Sequence, residues 1–67
     1  MGNWGSPEAV APLGAALADP EPLVREHAAW ALGRVGGIDA EAVLRARQES
    51  EGDPAVRAEL ADALRRV

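Results

Sequence analysis

The chain contains no cysteine, no lysine, no phenylalanine and no tyrosine, and it has a single histidine. Without cysteine there is no disulfide, no thiolate metal site and no set of iron–sulfur ligands. His27 alone cannot hold a metal without several carboxylates beside it. The shortage of aromatics, with isoleucine present only at Ile38, argues against a β-sheet protein. No segment approaches about eighteen consecutive apolar residues, so no transmembrane helix is expected. The start, Met1-Gly2-Asn3-Trp4, lacks the basic region and apolar run of a secretory signal. The expected location is the cytoplasm.

What is present favours helices. Fifteen of the 67 residues are alanine, and leucine, glutamate and arginine are frequent. The length allows one domain, residues 1–67. A chain this short buries only about 60% of its unfolded surface. Its core must be built from Ala, Val and Leu, which requires closely spaced helices. Eleven acids against seven arginines give a net charge of -4. An autonomous nucleic-acid binder usually carries a basic excess, so the charge argues against that role.

Turn residues cut the chain into four helical stretches. The first begins after Gly5, with Ser6 as N-cap, Pro7 in the first helical position and Glu8 at the positive helix start. Pro12 is expected to bend it. The second starts at Pro22 behind Glu21, and Gly36-Gly37 stops it. Its apolar positions Val24, Ala28, Ala31, Leu32 and Val35 follow helical spacing. The third is expected to be capped by Asp39 and to run towards Glu51, ending at Gly52. The fourth is capped by Asp53, with Pro54 in its first position.

The second and fourth stretches superpose at an offset of 32 residues. Pro22-Leu23-Val24-Arg25 answers to Pro54-Ala55-Val56-Arg57. Ala28, Ala31, Leu32, Arg34 and Val35 answer to Leu60, Ala63, Leu64, Arg66 and Val67. A helix-pair period of this size marks an α-solenoid. The expected fold is all-α: two stacked helical hairpins, repeat 1 over about residues 6–36 and repeat 2 over about 39–67. The second and fourth helices should lie side by side and line one face.

The segment from Asp19 to Arg25, followed by Ala28-Ala29-Trp30-Ala31-Leu32-Gly33, resembles the HEAT-like repeats of phycobilin lyases and many bacterial proteins. That likeness covers nearly the whole chain, but proteins of unrelated function share it. A narrower likeness joins Gly2-Asn3-Trp4-Gly5-Ser6-Pro7-Glu8-Ala9-Val10 to the run from Pro22 to Gly33. It resembles the C-terminal HEAT-like domain of bacterial epoxyqueuosine reductase. That family reduces epoxyqueuosine in the tRNA anticodon loop, using cobalamin and two 4Fe–4S clusters held in other domains. The motifs for those groups are absent here, so the resemblance implies a noncatalytic piece of a longer protein, with no cofactor of its own. Glu26 stands where that family often has glycine.

Comparing the two copies separates architecture from candidate function. Arg25 and Arg57 occur in both and each follows an acid by four residues, Glu21 and Asp53, a spacing that allows an ion pair. Arg25 also has Asp19 nearby. Trp30 occurs in one copy only and answers to Asp62. With Val24 at zero and 100° per residue, the core positions cluster between about 340° and 80°. Trp30 lies near about 240°, beside Glu26, His27 and Arg34. The candidate binding surface is therefore Arg25, His27, Trp30 and Arg34. Trp4 is expected to cover the open end of the solenoid. The expected partners are the chain's own upstream catalytic domains or another protein, with tRNA as a further candidate, and no membrane or small-molecule substrate. The alternative is a general protein-interaction module without a nucleic-acid role.

Overall fold

The computed structural model describes residues 7–67. The expected cap Ser6 and the expected cover Trp4 lie outside the described residues. A 3-10 turn, Pro7–Ala9, leads into α1, Val10–Ala16. Helix α2 spans Pro22–Val35, α3 spans Gly37–Ser50 and α4 spans Pro54–Arg66. Among the described residues there is no strand. None of these helices is long and apolar enough to cross a membrane. The chain is an all-α solenoid of two helical hairpins.

The punctuation works much as its chemistry dictates. Asp53 caps α4 by accepting from the N–H groups of Ala55 and Val56, at 2.9 and 3.1 Å. Pro22 and Pro54 begin their helices, where a missing N–H costs nothing. Gly36 closes α2 at φ 72°, and Gly37 follows at φ 90°. Both values lie where a side chain is strained, so this one-residue link needs glycine.

Three expectations change. Pro12 does not bend a longer helix. It lies in the first turn of α1, where no helical acceptor awaits its missing N–H, and the chain before it is 3-10. Asp39 does not cap α3, because the helix already starts at Gly37 behind Gly36. Val24 is not a core residue. It is 39% exposed, whereas its counterpart Val56 is fully buried. α4 makes its widest contact with α2, and among the described residues α2 has no such neighbour on the face that carries Val24.

The helices form two layers, α1 and α3 in one, α2 and α4 in the other, with α2 also touching α1 and α3. Leu17, Leu32, Leu44 and Leu60 meet in the centre with Val56, each fully buried or nearly so. Val10, Ala28, Ala29, Ala40 and Ala63 complete the core. Small residues let the inner helices approach closely. A Cβ placed on Gly33 would lie 2.9 Å from the Cβ and 3.0 Å from the Cα of Ala63.

That contact sets a prediction. Alanine is a better helix former than glycine by about 1 kcal/mol, yet Gly33→Ala must force α2 and α4 apart. We expect a net loss of about 1–2 kcal/mol in urea unfolding. Gly52→Ala, with nothing within 4 Å of its added Cβ, should be close to neutral. Equal effects of the two changes would refute the close-approach explanation.

Candidate functional site

Two groups of side chains stand out beyond the core, and they divide the expected binding residues between them. The first lies where the α3–α4 turn meets the start of α2. Glu51 is the buried charged residue of the described chain, 3% exposed. The Arg25 guanidinium grips its carboxylate with two bonds, Nε to Oε1 at 2.9 Å and Nη2 to Oε2 at 3.0 Å. Arg47 Nε donates to Oε1 at 3.1 Å, and the Asp53 N–H donates to Oε2 at 3.0 Å. The hydrogen bonds from Arg25 above all, helped by those from Asp53 and Arg47, outweigh the burial. They hold the Glu51 carboxyl at about 2.

Arg25 is thereby committed to architecture. Its remaining terminal nitrogen, Nη1, donates to the Asp19 carbonyl at 2.7 Å. Neither repeated arginine bonds the acid four residues before it. Arg57 Nη1 donates instead to the carbonyls of Gln48 and Glu51, at 3.1 and 2.9 Å. The Glu51 hub escapes a search by helical spacing, because its strongest partner is 26 residues away. The repeat carries the missing signal: at the offset of 32, Glu51 answers to Asp19. Asp19 Oδ1 accepts the Glu21 N–H at 2.8 Å, just as Glu51 accepts that of Asp53. The two acid turns are the same device, and only the second receives an arginine side chain from the neighbouring copy.

The second group is the outward face of α2. Trp30 is 44% exposed. The Arg34 guanidinium, one turn on, lies 5.3 Å from the centre of its ring, a cation–π arrangement. Glu26, His27 and Trp30 edge an open groove of about 760 Å³. Its apolar lining comes from Val24, Ala28 and Ala31 of α2 with Leu13 and Ala16 of α1, and Glu59 of α4 contributes to the rim. The structure thus brings His27 and Trp30 to one groove, sets Arg34 on the tryptophan and turns Arg25 away. Val24 belongs with this group, where the periodicity had placed it in the core.

Among the described residues no cluster of three or more His, Cys, Asp or Glu is placed to hold a metal. The face offers one large amphipathic ring, an apolar trough and a rim of both charge signs, which suits a peptide or helix surface.

Residues 1–65 match the family model described as HEAT repeats. No curated protein and no solved structure matches the chain.

Because Glu51 is ionised in the fold far below its ordinary range, its contribution has a definite sign with pH. In the unfolded chain it titrates near 4.5, in the fold near 2. The unfolded state therefore binds more protons between these values. The stabilisation is complete above about pH 4.5 and is lost as pH falls towards 2. Urea midpoints measured from pH 7 to 2 should fall more steeply for the natural chain than for Glu51→Gln, which should also be the less stable of the two at pH 7. Parallel curves would rule out the hub as the source.

Proposed function

The chain belongs to the HEAT-repeat family, and on that premise we propose that it is a noncatalytic scaffold that binds another protein through the outward face of α2. Repeats of this family typically mediate protein–protein contacts and are generally not catalytic. One observation carries the assignment to this face. A tryptophan found in only one of the two copies stands 44% exposed beside an apolar groove. Its counterpart in the second copy is Asp62, so the repeat itself does not require an aromatic there. Tryptophan and arginine are also the side chains most enriched among residues that dominate binding energy. Here the Arg34 guanidinium, one turn on, lies over the ring in a cation–π contact. His27 and the acids Glu26 and Glu59 supply the polar rim.

A narrower reading places the scaffold in an epoxyqueuosine reductase-like tRNA-modifying protein. There it would support the catalytic domains and touch tRNA, while cobalamin and the 4Fe–4S clusters belong to other domains. Its support is the resemblance of residues 2–10 and 22–33, together with the exposed Trp30–Arg34 pair, which could stack on a base and meet a phosphate. Against an RNA contact stand the net charge of -4 and the engagement of Arg25 with Glu51.

The test uses peptide binders selected from a display library on the intact chain, with tRNA titrated in parallel. Binders should shift the Trp30 indole N–H and His27 resonances. Trp30→Ala should weaken them tenfold or more, on the order of a hot-spot loss, with unfolding unchanged. Peptides that bind equally well without Trp30 would move the site elsewhere. Tight tRNA binding that weakens steeply with salt through counterion release, and is lost in Trp30→Ala, would favour the narrower reading.

A further inference from the structure

The distribution of charge singles out two acids on the groove. All seven arginines are engaged within the fold. Arg25 and Arg47 hold Glu51, and Arg57 holds the carbonyls of Gln48 and Glu51. Arg45 pairs with Glu41, Arg65 and Arg66 share Asp62, and Arg34 lies over Trp30. Asp19 and Asp53 accept backbone N–H groups. The side chains of Glu21, Glu26, Asp39, Glu49 and Glu59 meet no such donor among the described residues. Glu21, Asp39 and Glu49 are exposed, so water serves them. Glu26 and Glu59 are half-buried, and both border the apolar groove beside Trp30.

The two acids stand on either side of the seam between α2 and α4. These helices run in the same direction. Their starts meet through Arg25 and the Glu51–Asp53 turn, and further along Gly33 lies against Ala63. One turn before that contact, Glu59 on α4 comes level with Ala29 on α2. Around α2, Glu26 lies about 20° from the direction of Gly33, and Trp30 about 60° on the same side. Two carboxylates of one sign are thus set about one apolar trough, partly withdrawn from water, where their repulsion is stronger than on an open surface. The chain has no free arginine to place between them.

We propose that the segment bound on this face is basic and amphipathic. An arginine or lysine of the partner enters between Glu26 and Glu59 beside the Trp30 ring, and apolar neighbours of that cation seat on Val24, Ala28 and Ala31. Arginine suits the place better, because its planar fork can donate to two carboxylates and lie against an aromatic ring. The phosphates of a nucleic acid would meet both acids instead and be repelled. The proposal rests on the protein-binding reading above and names the charge and pattern of what is bound.

The experiment selects peptides from a random display library on the intact chain and measures the synthetic peptides at about 0.15 M salt. Arginine or lysine beside apolar residues should dominate the selected sequences. Changing that cation to alanine should weaken binding tenfold or more. The double variant Glu26→Gln, Glu59→Gln should lose a similar factor, and on it the same peptide change should matter little, because the partner charges are gone. The pair Asp39→Asn, Glu49→Gln removes the same net charge from α3, away from the groove, and should alter affinity less than about twofold. The substitutions nearly preserve side-chain volume, and urea unfolding checks that each variant is folded.

Selected peptides without a cationic bias overturn the proposal, as do equal losses from the groove pair and the α3 pair. Peptides that need Trp30 but ignore Glu26 and Glu59 also overturn it, while leaving the Trp30 surface in place. Peptides that need the two acids but not Trp30 would instead remove the tryptophan from the site, so the two readings fail separately.

Discussion

The architecture hangs on one desolvated carboxylate. Glu51 is buried between the two repeats and receives donors from α2, from its own helix α3 and from the first turn region of α4. A buried ion pair adds little over a well-packed apolar contact, but it is costly to break. Its value here is positional. If α4 slid by one turn against α2, the carboxylate would lose Arg25 and remain charged without its main partner. The Gly33–Ala63 approach depends on that register, because it sets Gly33, which has no side chain, against Ala63.

The rest of the core follows from the same closeness. With no aromatic side chain to fill space among the described core residues, apolar volume comes from leucines placed one to each helix or its end. Alanines then line the surfaces where helices meet. The large apolar residue that α2 does carry, Trp30, is sent outward, and Arg34 shields one side of it. The division is chemical: side chains that tolerate close packing hold the solenoid, and the one with broad contact area is left for contact with something else.

Much of this was legible in the residues. Proline and glycine have local, steric meanings, so Pro22, Gly36, Pro54 and the cap Asp53 located the boundaries of three helices within a few residues. Asp39 misled because a good capping residue was outcompeted by a glycine link that starts the helix earlier. Pro12 misled because its effect depends on where a helix begins, which the spacing of Val10, Leu13 and Leu17 does not reveal. Val24 was read as core because periodicity reports which face is apolar, without reporting whether a neighbour lies over it. Trp30 could be placed on the outer face by angle alone. The fate of Arg25 could not, since its partner lies in the other repeat and only the Asp19–Glu51 equivalence hints at it.

Gly33 and its counterpart Arg65 also carry a rule for how such a chain can lengthen in evolution. The first hairpin has both halves of the stacking interface, one on each side of α2. The second has only one half, because arginine fills the position where the helices must touch. A gene duplication that copied the first hairpin would yield a unit able to receive another behind it. One that copied the second would present arginine at the position of closest approach. The choice between glycine and arginine at one codon thus sets how closely a second helix can approach at that position.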